Sequence, residues 1–332
     1  MNIRNIIRAE KLAVLIILSA SLVISYNYFH FVERPNITER MVIHDSILEG
    51  EAPSPYRYRV LVPFATQGMT DFVRAVTPLS YRNSWILSYI IYDLAAIFLF
   101  ISTLYFFLME WHQRIYSLAG ALFCCAVLPL SLRDHYFQPW SLIESWFFCA
   151  AFLAARKKNY YAILALTLAA SLNRMSGLFI PLIYLASFLR FRDTENEGSG
   201  FDTLAAGKFL LLAAVSAGTI LTLRYLMGWS ENIHSIRYLW GLNRTFPYYI
   251  YAIINIVLFG GAWWFFFAAG IKYADRFTVS MFPVILLYLL PVAIFGIWKE
   301  VRLLLPVYPV LISTGLFYLR QKMKSNEAGI RA

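Results

Sequence analysis

Arginines and carboxylates recur together in four short stretches of an otherwise apolar chain. The first is MVIHDSILEGEAPSPYRYRVLVPF (41–64), with His44, Asp45, Glu49 and Glu51 ahead of Arg57 and Arg59. The second is LRDHYFQPWSLIESWFF (132–148), with Arg133, Asp134, His135, Gln138 and Glu144. The third is LNRMSG (172–177), with Asn173 and Arg174; the fourth is GIWKEVRLLLPVYPVLI (296–312), with Lys299, Glu300 and Arg302. A guanidinium is a planar fork that grips phosphate through two parallel hydrogen bonds, which an ammonium does not do. A carboxylate among such forks suits proton transfer. Phosphate binding is therefore assigned to Arg57, Arg59, Arg133, Arg174, Lys299 and Arg302, and acid–base work to Asp45, Asp134 and Glu144.

Each stretch also has a structural reading. Arg57 and Arg59 with their tyrosines can anchor a helix to lipid headgroups. Arg133 and Asp134 can be a helix-end ion pair. Asn173 and Arg174 can cap a turn, and Lys299 to Arg302 can be a snorkelling belt. His44 and His135 each adjoin an aspartate, which admits a divalent metal, but no further ligands lie within sequence range and no cofactor is assigned. What the structural readings leave unexplained is convergence, because alternating topology brings all four stretches to one membrane face.

That topology follows from composition. The chain has 332 residues, is 60% hydrophobic and 14% charged, and has a net charge of +10. Soluble domains run near 25% charged. Successive apolar stretches of about 20 residues match a bilayer core of roughly 30 Å. The expected fold is an all-α polytopic transmembrane bundle, with spans near 12–28, 84–109, 115–132, 139–155, 208–227, 247–270, 277–297 and 301–319. A ninth apolar stretch, 159–190, is too long for one upright helix and is broken by LNRMSG and Pro181, so it reads as a helical hairpin with Arg174 near its tip. Counting that hairpin, about 8–10 elements span the membrane. Residues 58–76 read as a helix lying in the interface.

Seven of the eight lysines fall on the side that holds both termini, Lys299 being the exception, so that side is expected to be cytoplasmic. The basic charge anchors the membrane and implies no nucleic acid. Residues 193–207, within a polar stretch, divide an N-terminal module (1–192) with a large outer loop at 29–83 from C-terminal spans (208–332). Cys124, Cys125 and Cys149 lie in apolar stretches as small hydrophobes. Asp93 and Glu144 fall inside spans, where a carboxylate costs about 2.5–3.5 kcal/mol on insertion scales, so each calls for a partner.

Taken in order, HDSILEG…SPYRYRVLVP (44–63), RDHYFQPWSLIE (133–144), SLNRMSG (171–177) and KEVRLLLPVYP (299–309) resemble the GT-C superfamily of integral-membrane glycosyltransferases. The chain is most similar to bacterial GT-C-like membrane proteins that carry a YRYRxLxP stretch after the first outer loop. Where such proteins often read Asn-Arg-Glu-Thr, this chain has Asn173-Arg174-Met175-Ser176, so the resemblance supplies no acid there. It implies a GT-C-like bundle in the bacterial inner membrane, a polyprenyl-phosphate sugar donor, a glycan or lipid acceptor, and a site at the outer face. Asp45 matches the family's acidic residue of the first outer loop. The rival expectations are a lipid transporter or flippase, with its broken helices and buried charges, and a non-catalytic subunit of an envelope-assembly complex.

Overall fold

A computed structural model describes residues 3–133, 136–188, 203–229 and 236–330, with residues 3–9, 236 and 326–330 described by backbone alone. α1 (Ile3–Tyr28) runs through a π-helical segment (Phe29–Glu33) and a 3₁₀ turn containing Pro35 into α2 (Ile37–Leu48). From Glu10 to Leu48 this forms one apolar helical run of 39 residues. α3 (Leu61–Val76) buries Val62, Thr66, Thr70 and Val73, a stripe of helical spacing, and leaves Phe64 and Phe72 exposed. This is the amphipathic helix expected over 58–76, starting three residues later.

α4 (Tyr81–Leu108), capped by the Ser80 hydroxyl, and α5 (Arg114–Leu132) follow. α6 (Trp140–Arg156), α7 (Tyr160–Asn173) and α8 (Phe179–Ala186) are shorter. Next come α9 (Thr203–Met227), α10 (Ile236–Arg244), α11 (Tyr248–Gly260), α12 (Trp263–Gly270), α13 (Arg276–Phe295) and α14 (Tyr308–Ile330). Among the described residues, six of the helical runs are long and apolar enough to cross a membrane. The chain is a multi-pass, all-helical bundle.

Three expectations change in detail. The span expected at 247–270 is two helices, α11 and α12, bent by 66°. Gly261, at φ +49°, takes the turn in the left-handed region that side chains disfavour. The span expected from 301 begins as a 3₁₀ segment (Val301–Val307) containing Pro306, and only then becomes α14. Residues 203–207 of the expected linker already belong to α9, while 193–202 lie outside the described residues. The larger of two hydrophobic clusters runs from Ala13 to Leu316 and draws on helices before and after the expected linker. Cys124, Cys125 and Cys149 are buried in it as free thiols.

Inside this core hydroxyls bond back along their own helices. Ser88, Ser145, Thr167 and Ser171 each donate to the carbonyl four residues earlier. In lipid no water completes such groups, so the helix must.

Contacts define two ends of the bundle. At one, Arg114 pairs with Glu10 at 3.2 Å, Lys157 with Glu110 at 3.6 Å, and Arg320 donates to the Trp111 carbonyl at 3.1 Å. The start of α1 and the end of α14 lie there; we call it the terminal end. At the other, Asn173 donates to the Trp140 carbonyl at 3.0 Å, Tyr92 to Pro139 at 2.7 Å, and Tyr58 to Gly228 at 2.9 Å. This loop end gathers the described residues of all four motifs.

Candidate active site

Over its described residues, 159–188, the expected hairpin forms. α7 stops at Asn173, Arg174 is extended, and a 3₁₀ turn (Met175–Leu178) leads into α8. The tip is held by close backbone approach. A Cβ on Gly177 would stand 2.6 Å from the Ser171 backbone nitrogen and 2.8 Å from the Ala170 carbonyl carbon. Backbone cannot yield as a side-chain end can. Gly177→Ala is expected to cost about 1–3 kcal/mol or more by overpacking, read as a lowered thermal midpoint in detergent. An unchanged midpoint would show that the tip has room to spare.

The tip presents Arg174 to α6. Arg174 Nη1 lies 2.6 Å from Glu144 Oε2, and the Ser176 hydroxyl donates to Glu144 Oε1. Glu144 thus has the partner its position demands. Arg59 comes from the loop before α3 and is 8% exposed. Its Nη1 donates to Gln138 at 3.2 Å, and its guanidinium lies over the rings of Trp140 (4.7 Å) and Tyr56 (5.1 Å). Arg224 of α9 stands over Tyr58 and Trp229, with Nη2 at 3.5 Å from the Met175 sulfur.

Arg59, Arg174 and Arg224 line a pocket of about 90 Å³, together with Tyr58, Ser171 and Ser176. Among the described residues, the carboxylate paired with these three guanidinium groups is Glu144, on Arg174, and the charge of Glu300 reaches Arg174 as well. The imbalance registers on Arg59. Burial first, then the charge of Arg174, hold its guanidinium well below the usual arginine value, partly offset by Tyr56 and Glu144. Pro55, Met175, Ile220 and Leu223 complete the wall. α9 buries a thin stripe of Ala205, Leu212, Ser216 and Ile220 and exposes Leu221, Tyr225 and Leu226, so this pocket lies beside an exposed apolar rim.

A second pocket of about 500 Å³ is lined by Arg133, Lys299, Glu300, Arg302, Asn255, Tyr248 and Tyr251. Arg302 Nη2 sits 2.6 Å from Glu300 Oε2, and Lys299 Nζ lies 4.7 Å over the Tyr248 ring. Arg302 also faces the ring of Phe137, which meets Tyr56 edge-on, so one aromatic partition links the two pockets.

The expected single cavity is thus two neighbouring pockets, and the expected residues divide unequally. Arg59 and Arg174 line the smaller; Arg133, Lys299 and Arg302 line the larger. Glu144 stands behind Arg174. Asp134 lies outside the described residues. Arg57 lines neither pocket. It donates to the Ala52 carbonyl at 3.0 Å and the Met227 carbonyl at 3.2 Å, tying its loop to the end of α9. Asp45 lines neither pocket as well. It is half-buried on α2, where its charge acts on His44 and Tyr81. The neighbouring His44 is engaged through both ring nitrogens, with Tyr89 at 2.8 Å and Gln67 at 3.2 Å.

Sequence reasoning did not assign Arg224 or Glu300 a role. Arg224 lies far from the motifs in sequence; only its place at the far end of α9 marks it as a loop-end arginine. Comparisons with protein-family models, with curated proteins and with solved structures find no match to this chain. The GT-C resemblance stands on the motifs alone.

Proposed function

We propose that this protein is a membrane glycosyltransferase that moves a sugar from a polyprenyl-phosphate donor to an envelope glycan or lipid acceptor. The observation that carries the reading is the excess of guanidinium over carboxylate around the smaller pocket, beside the exposed apolar rim of α9. A phosphodiester that joins a sugar to a prenyl chain supplies both missing parts, negative charge for Arg59, Arg174 and Arg224 and hydrocarbon for Met175, Ile220 and Leu223; transfer leaves the prenyl phosphate as a monoester. The loop end then faces the periplasm and the terminal end the cytoplasm of a bacterial inner membrane.

The larger pocket takes the acceptor. Its aromatic and amide walls suit a sugar, and Glu300 is the carboxylate that lines it. In an inverting transfer the acceptor oxygen bonds to the anomeric carbon, and its proton passes to Glu300. The bond from that carbon to the phosphate oxygen breaks, and the prenyl phosphate departs with the electron pair. The arginines stabilise the charge that develops on it. Glu144 holds Arg174 in place. Asp45 retains the base role that the resemblance gives it only if ligand binding brings α2 to the site.

The test is sugar transfer from a polyprenyl-phosphate donor in nanodiscs. Glu300→Gln is expected to lower transfer by about 10²-fold or more, the usual contribution of a general base, while donor binding persists. Asp45→Asn is expected to leave transfer within a few-fold; the reverse pattern would return the base role to Asp45. A folded wild type that binds no prenyl phosphate would sink the enzyme reading.

The 66° break between α11 and α12 favours a second reading, a lipid transporter, since such folds use broken helices. Movement of prenyl phosphate across a liposome bilayer without sugar transfer would select it.

A further inference from the structure

The most enclosed charges in the molecule belong to neither pocket. Glu33, Arg40 and Asp93 are each 1% exposed. Glu33 ends the π-helical segment after α1, Arg40 lies on α2, and Asp93 on α4. Arg40 Nη1 is 2.6 Å from Glu33 Oε1, and Arg40 Nη1 and Nη2 are both 3.3 Å from Asp93 Oδ2. The same guanidinium lies 3.9 Å from the centre of the Tyr89 ring.

The charges do not balance. Two carboxylates face one guanidinium, and Asp93 Oδ1 and Glu33 Oε2 are buried without a hydrogen-bond partner. The other ionisable groups packed around the cluster are Tyr28 from α1, His44 from α2, and Tyr89 and Tyr92 from α4; the charge of Arg302 also reaches Tyr28. The tyrosines are neutral and His44 is held by Tyr89 and Gln67, so among the described residues no second cation is found paired with the acids. Both carboxylates converge on the same nitrogen, Arg40 Nη1, so their own charges are crowded together in a site closed to water. Two ionised carboxylates so placed repel, and one guanidinium offsets the charge of one, so the second is neutral when it holds a proton.

We propose that Glu33 and Asp93 form a proton-binding site that holds one proton between them at neutral pH, leaving the Glu33–Arg40–Asp93 cluster uncharged overall. The ligand is a proton rather than a metal ion because Arg40 already fills the centre of the cluster and would repel a cation. A π-helical register and a shared proton at the junction of α1, α2 and α4 make this the place where proton uptake and helix packing meet. This inference does not depend on the glycosyltransferase reading.

The test is infrared spectroscopy of the full chain in nanodiscs. A protonated carboxyl has a carbonyl stretch, shifted by deuterium exchange, that an ionised carboxylate lacks. Wild type at pH 7 should show such a band. Asp93→Asn and Glu33→Gln should each abolish it, because the one acid left matches the one guanidinium. Arg40→Gln should roughly double it, because both acids are then protonated. A band that survives both acid variants overturns the proposal. So does a wild type with no band, a result that needs no variant to fold. A thermal midpoint that depends on sodium in the absence of any acid band would assign the site to a metal cation and equally overturn it.

Discussion

Arg59→Met is expected to make the protein more heat-stable and inactive. The side chain is 8% exposed, it donates a hydrogen bond to Gln138, and its charge sits against that of Arg174. An arginine stays protonated in proteins, so the folded state carries this burial at every working pH. Replacing buried charge with well-packed apolar atoms of similar volume is often stabilising by about 1–4 kcal/mol. Loss of the bond to Gln138 returns about 1 kcal/mol of that. The net should appear as a thermal midpoint raised by a few degrees. Sugar transfer should fall by about 10²–10³-fold, the usual cost of removing one donor that stabilises developing charge. A midpoint lowered by several degrees would mean that Arg59 is a structural residue, and retained transfer would remove it from the donor site.

Arg174→Met is expected to do the opposite to stability. It leaves Glu144, 4% exposed, without its 2.6 Å partner, and orphaning one member of a buried pair costs about 3–5 kcal/mol. The pairing of Arg174 and Glu144 makes a second measurement decisive. Glu144→Gln in the same chain should recover most of the loss, since a neutral amide still accepts from Ser176. The coupling between the two changes should reach about 0.5–3 kcal/mol, as for residues in direct contact. Additive effects would show that the ion pair is not what holds the hairpin tip to α6. Transfer should remain low in the double variant, because the guanidinium is still gone.

The two arginines differ in how far the sequence revealed them. A break at Asn173–Arg174 inside a 30-residue apolar stretch, followed by Pro181, pointed to a hairpin, and the hairpin forms. The rhythm of Val62, Thr66, Thr70 and Val73 likewise reads as an amphipathic helix in sequence and in space. The bend at Gly261 was signalled only by a Gly-Gly pair inside an apolar run, where composition favours an unbroken span. Asp93 announced the need for a partner, yet nothing local showed that Arg40 and Glu33 supply it. A π-helical segment shifts which residues share a face, so ordinary 3.6-residue counting misplaces Glu33. Motif proximity in the chain also misled. Arg57 and Arg59 are two residues apart, but one ties down a loop and the other lines a pocket.

The three cysteines of the core have a practical consequence. Cys124 and Cys149 are fully enclosed and Cys125 is 7% exposed. The described cysteines are all buried and they are all the cysteines in the sequence. A thiol so enclosed is inert until its surroundings open. The wild-type chain therefore carries its own melting indicator: a dye that fluoresces on reaction with thiols should stay dark on the folded protein and brighten as the bundle comes apart. The same silence leaves the native surface blank for reporters, so one engineered cysteine at either end of the bundle would be the sole group a membrane-impermeant maleimide can reach, and the side from which it reacts would orient the chain in the cell.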